Sequence, residues 1–152
     1  MKNASSVDLY EELLKVIARI QNDVDYRRSL NNYLPNAPGP IRKQRPAMSV
    51  GAECNGATGI GHQHVTARED ILHKAVYNAL IKNYGQLNVL DNASGNYVGH
   101  CAENYAATSV LDQLQGSVKF PASLSDIGFT DAFCPRTGQM KDWCSICHTI
   151  FD

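Results

Sequence analysis

The chain has no run of apolar residues long enough to span a bilayer, so no membrane partner is expected. It also lacks a surplus of either charge: Lys and Arg total 14, Asp and Glu 15, for a net charge of −1. Without a global field, any grip on nucleic acid must come from a local patch. No repeat or low-complexity tract is present, and 152 residues suffice for one domain with a real core. The first twenty residues lack an unbroken apolar segment, because Asp8, Glu11, Glu12 and Lys15 interrupt them, and a signal peptide is therefore not expected. A disulfide framework is not expected either. The five cysteines are an odd number, and three of them fall inside two short motifs, the pattern of reduced, metal-binding thiols.

Those motifs are His100-Cys101-Ala102-Glu103 and, farther along, Trp143-Cys144-Ser145-Ile146-Cys147. Cys101, Cys144 and Cys147 are the parts of a zinc site with three thiolate ligands and one position left for water. Cys144 and Cys147 are spaced i and i+3, so one helical turn can point both the same way. Glu103 follows Cys101 closely enough to lean over the open position as a proton carrier without binding the metal. Both motifs are predicted to open helices, where free N–H groups favour thiolates.

Along the chain, residues 7–21 read as a helix with Tyr10, Leu13, Leu14, Ile17 and Ile20 on its buried face and Ser5-x-x-Asp8 as its cap. Pro35, Pro38, Gly39, Pro40 and Pro46 then break regular structure, and Arg42, Lys43 and Arg45 cluster among them. Residues 47–65 read as a hairpin turning at Asn55-Gly56, with Met48, Val50 and Ala52 alternating before the turn. A second helix is expected over 67–84, capped by Thr66 and Glu69, with Leu72, Ala75, Val76, Ala79 and Leu80 inward and a stop at Gly85. A third starts near Cys101 and ends at Gly116, carrying Ala106, Ala107, Val110, Leu111 and Leu114. Ile127, Phe129 and Phe133 alternate in a further strand, Pro135-Arg136-Thr137-Gly138 makes a turn, and Cys144 opens the last helix. The order implies an α/β layered domain with mixed strand directions.

Gly99-His100-Cys101-Ala102-Glu103 and the Cys144-x-x-Cys147 pair resemble the zinc-dependent nucleoside and nucleic-acid deaminase superfamily. The likeness is nearest to YwqJ-like deaminase domains at the C-termini of bacterial polymorphic toxins. It includes the helix between hairpin and metal helix and the Pro135–Gly138 turn. It covers residues 45 to 152, leaving 1–44 as an N-terminal helix and Pro-rich loop. Trp143 departs from the proline that many deaminases place before the pair. The resemblance implies a cytidine-deaminase-like fold, a mixed β-sheet flanked by helices with its zinc site at two helix N-termini. It implies Zn2+ held by Cys101, Cys144 and Cys147, with Glu103 as proton shuttle. The implied reaction is deamination of a nucleobase, cytosine in single-stranded nucleic acid and DNA first, by a toxin effector. Such a toxin acts in the cytoplasm of a recipient cell and meets a cognate immunity protein.

For substrate contacts, Ala102 offers a small side chain and a backbone N–H, His62 and His64 follow the hairpin, and Trp143 can wall the pocket. Arg42, Lys43 and Arg45 are candidate phosphate contacts. Tyr97 and Tyr105 flank the motif and can stack on a base, with core packing the first expectation. His73 is expected on the polar side of its helix, and His100 either braces the metal site or simply precedes the helix. Cys54 and Cys134 are expected on strands as small hydrophobes. Four alternatives stay open. Cys144-Ser145-Ile146-Cys147-His148 matches a c-type haem attachment motif. Cys134 can join the other three thiols in a purely structural zinc site. The chain can be a binding module without turnover, or a deaminase of free nucleosides or nucleotides.

Overall fold

The computed structural model describes residues 1–30 and 46–152. The elements begin with β1 (Lys2–Asn3), α1 (Val7–Asn22), α2 (Val24–Leu30), β2 (Ser49–Cys54) and β3 (Ala57–His62). They continue with α3 (Lys74–Tyr84), a small hairpin of β4 (Leu90–Asp91) and β5 (Asn96–Tyr97), and α4 (Ala102–Leu114). A 3₁₀ turn at Leu124–Asp126 precedes β6 (Gly128–Phe129), β7 (Ala132–Phe133), β8 (Met140–Lys141) and α5 (Ser145–Phe151). The domain is α/β, with a curled mixed sheet flanked by helices. Among the described residues, no helix is long and apolar enough to cross a membrane. Arg42, Lys43 and Arg45 lie outside the described residues.

Strand β2 is the centre of the sheet. It pairs antiparallel with β3 on one side and with β6 and β7 on the other, while β1 joins β6 in parallel. Asn55 and Gly56 both take positive φ, 48° and 89°, the backbone that a two-residue hairpin turn requires. The register from β2 to β6 and β7 slips by one residue, since Ala52 faces Phe129 but Ser49 faces Phe133. The extra residue is a bulge at Thr130-Asp131. There the Thr130 hydroxyl accepts the Gly51 N–H at 2.9 Å in place of a ladder carbonyl. The bulge shifts the strand's phase, so Ile127 and Phe129 are buried before it and Ala132 and Cys134 after it. Phe133, expected inward by simple alternation, is only half-buried for this reason.

Both faces of β2 are covered, and Ser49, Val50, Gly51 and Ala52 are all buried. Helix α1 lies on one face through Leu9, Leu13, Ile17 and Ile20. Helix α4 lies on the other, in a core shared with α3, α5, Ile127 and Phe129. Four local expectations need correction. The α1 cap is Ser6, whose hydroxyl accepts from the Leu9 N–H, because Ser5 is engaged by the Glu53 carboxylate. Leu9 takes the buried place expected for Leu14, which is 55% exposed. Helix α3 starts at Lys74 rather than 67. His73 is its cap, with Nδ1 accepting the Ala75 N–H, while the His73 N–H is drawn to the Thr108 hydroxyl. His73 also reaches Gln115 at 2.7 Å, so it is a tied residue rather than a solvated one.

Candidate metal centre

Cys101 is the N-cap of α4, and Cys144 is the N-cap of α5 with Cys147 one turn behind it. Neither cap uses a side-chain hydrogen bond, so both sulfurs are available to each other. The Cys101 and Cys144 sulfurs lie 3.2 Å apart, and those of Cys144 and Cys147 3.5 Å apart. The three sulfurs fall within 4.8 Å of one another. Three thiolates on one zinc at ~2.3 Å would lie about 3.8 Å apart, close to the two separations found here. No disulfide uses these thiols. The donor set fits zinc.

Contacts on both sides bring the two helix starts together. Gly59 and Gly61 of β3 face α4, and a Cβ on Gly61 would lie 2.2 Å from the Ala106 nitrogen and 2.3 Å from the Ala102 oxygen. Only glycine admits the helix so close. The end of β3 is tied to the residue before Cys101, because the His64 N–H donates to the His100 carbonyl at 3.0 Å. The His64 ring stacks on Tyr105 at 3.7 Å, and the Tyr105 hydroxyl donates to Gly99. On the other side, the Trp143 indole N–H donates to the Thr130 carbonyl that the bulge leaves free, which fixes the residue beside Cys144.

The thiols form one electrostatic unit. Cys144 is pulled well down, first by hydrogen bonding with Cys101 and then with Cys147. The same bonding, with burial, pushes Cys101 and Cys147 up. Such a cluster surrenders its first proton readily and the others only when a cation shares the charge. Glu103 is 4% exposed, and burial pushes its carboxyl up to about 7 against a lowering bond to its own backbone.

Above the sulfurs opens a cavity of about 410 Å³, within the usual range for small-molecule sites. Cys101, Ala102, Glu103 and Cys144 form part of its lining. His62, His64 and Trp143, the other expected substrate contacts, do not line it. Strand parity explains the first: His62 is registered with Ser49, and its Nδ1 is 2.7 Å from the Ser49 hydroxyl on the α1 face. His64 and Trp143 are occupied as braces. Their places are taken by Met48, Gln63, Asn96, Cys134, Arg136 and Lys141. Counting by twos from the Asn55-Gly56 turn would have found Met48 and Gln63, which share the face of Val50 and Gly61. His100 lines the cavity and is held through Nε2 to Asn88 at 2.8 Å, which ties down the residue before Cys101. Tyr105 is core, as expected.

The rival uses of the cysteines fare differently. Cys54 is buried in the main core. Cys134 lines the cavity but stands outside the group of three sulfurs, so a four-thiol site is not formed. Burial works to raise its thiol, yet hydrogen bonds from Thr137 and Arg136 outweigh this and leave it lowered. A haem attachment needs both thiols reachable from one side, but Cys147 is fully buried against Cys101. The chain matches no family model, no curated protein and no solved structure.

Proposed function

We propose that the chain is a zinc-dependent deaminase of a nucleobase, with cytosine in single-stranded DNA as its first substrate. One observation carries the proposal: three thiols from two separate motifs cluster together, and two of them, Cys101 and Cys144, line a single cavity with the buried carboxylate of Glu103. A structural zinc site needs the thiols alone and gives Glu103 no task. When bound, zinc would lower the pKa of a water it holds to near ~7. The overall reaction adds one water to the ring carbon bearing the amine and releases ammonia, with no change of oxidation state. A C–O bond forms and a C–N bond breaks. Glu103 takes the proton released by that water at its carboxylate oxygen. It gives that proton to the ring nitrogen, then takes the second proton of the added water from the new hydroxyl and passes it to the leaving amine. The Ala102 backbone N–H, at the first turn of α4, is free to hold the base carbonyl oxygen. Burial of the carboxylate excludes competing water from this transfer.

On this proposal the natural setting is a toxin effector. A cognate immunity protein would then close the cavity mouth. The test incubates zinc-loaded protein with single- and double-stranded DNA, RNA and free nucleosides, and reads the bases by mass spectrometry. Glu103→Ala is expected to keep its zinc and lose more than ~100-fold in rate. Activity within tenfold of the native protein, or no altered base in any substrate, would reject the proposal.

A further inference from the structure

Resting on the deaminase reading above, we infer that the cavity rim is a strand-binding shelf for a single-stranded polynucleotide. Tyr97 stacks the base beside the target base, and Arg136 and Lys141 hold the phosphates. Tyr97 was expected in the core, yet its side chain is 47% exposed. Its ring lies at 22° to the His100 imidazole with centroids 5.3 Å apart. His100 itself lines the cavity. The imidazole is held in place by Asn88, and the His100 N–H donates to the Tyr97 carbonyl at 3.2 Å. The exposed ring is therefore backed by a fixed partner whose neighbour is the cavity. Asn96, next to Tyr97, lines the cavity too. Leu90, registered opposite Tyr97 and 49% exposed, widens the apolar ledge.

The second half of the rim is the β7–β8 hairpin. Among the described residues, Arg136 and Lys141 are the only Lys or Arg side chains lining the cavity. The acidic groups there are Glu103 at the floor and Asp142 beside Lys141. An aromatic platform next to cations is how proteins hold unpaired strands: base stacking is tolerant of sequence, and cations track the backbone. A free nucleoside has no neighbouring base for Tyr97 and no phosphate for Arg136 and Lys141. A mononucleotide uses the cations but not the platform. Only a strand uses both.

The test uses the zinc-loaded 152-residue chain carrying Glu103→Ala, which binds without turnover. A fluorescein-labelled single-stranded DNA oligonucleotide is titrated by anisotropy, and deoxycytidine monophosphate is measured by competition. Tyr97→Ala is expected to weaken the oligonucleotide about tenfold while the mononucleotide stays within about twofold. Tyr97→Phe should restore the strand affinity, because the ring remains. Arg136→Ala with Lys141→Ala should weaken both ligands. It should also flatten the slope of log affinity against log salt by about 1.4, two phosphates at about 0.7 each. The shelf is overturned by unchanged strand affinity in Tyr97→Ala, by equal losses on both ligands, by an unchanged salt slope, or by no binding of the oligonucleotide at all. Deamination is scored separately on the Glu103-containing protein. A strand effect of Tyr97 without any deaminated base supports the shelf and rejects the deaminase reading. Deamination with no strand effect does the opposite.

Discussion

Strand β2 is covered by a helix on each face, and the two contacts are built in opposite ways. Helix α1 meets it through long aliphatic side chains, and the extra Cβ that alanine would put at Gly51 comes within 2.9 Å of Leu9 Cδ1, the far end of a flexible group. Helix α4 meets the sheet through missing side chains, with Gly61 against the backbone of Ala102 and Ala106. A side-chain contact can be repacked in several ways, but a backbone contact has one solution. The helix that carries Cys101 and Glu103 is the one held by backbone. The candidate metal centre thus sits where the fold has least freedom.

Adding one methyl group to each face separates the two contacts. Gly61→Ala is expected to cost more than about 4 kcal/mol in urea unfolding and to release zinc, since a helix backbone must move. Gly51→Ala should cost only about 1–2 kcal/mol and keep its metal, because Leu9 can turn aside. Equal costs would show that both faces repack alike.

A smaller effect separates the faces by the metal. Zinc in about 1,000-fold excess over its Kd should add about 4 kcal/mol, and Cys144→Ser should lose that increment while Cys134→Ser keeps it. Hydrogen exchange in the variant should quicken at the starts of α4 and α5 and leave α1 unchanged. Full zinc content in Cys144→Ser would remove the site from these residues.

The smallest effect belongs to the α1 face. Burial, helped by the nearby His64, brings His62 down from 6.5 to about 4, and its Nδ1 lies 2.7 Å from the Ser49 hydroxyl. As pH falls below 6.5 the unfolded chain takes up the proton first, so folding stability declines. The decline ends near pH 4, where the folded state is protonated as well. The loss should be on the order of 1–3 kcal/mol, and His62→Gln should abolish it when both zinc-loaded proteins are compared by unfolding at each pH. A parallel pH dependence in the two proteins would place the titration elsewhere.

Much of the fold was legible because it is written in short spacings. The hairpin at Asn55-Gly56, the helix opening at Cys101 and the one opening at Cys144 all stand where the motifs predicted. Helix α3 starts later than its sequence suggests because Thr66 and Glu69 make a plausible cap locally, while the deciding bond, from His73 to Thr108, comes from another helix. The same holds for the site. Cys101, Glu103, Cys144 and Cys147 were legible as a chemical set, whereas the cavity wall was not. Trp143 looked like a wall from its neighbours in sequence, but Thr130 claims its indole.

By itself the sequence determined the local turns, the two helix starts and the donors placed upon them, because these depend on residues a few positions apart. Tertiary structure alone decided that sulfurs 43 residues apart in the chain lie 3.2 Å apart in space. It also decided that a bulge at Thr130-Asp131 re-phases a strand toward the cavity, that Gln63 rather than His62 faces it, and that Tyr97 stands exposed beside it. The physical reason is that side-chain direction across a sheet depends on phase and register, and close helix approach depends on what the opposing strand lacks.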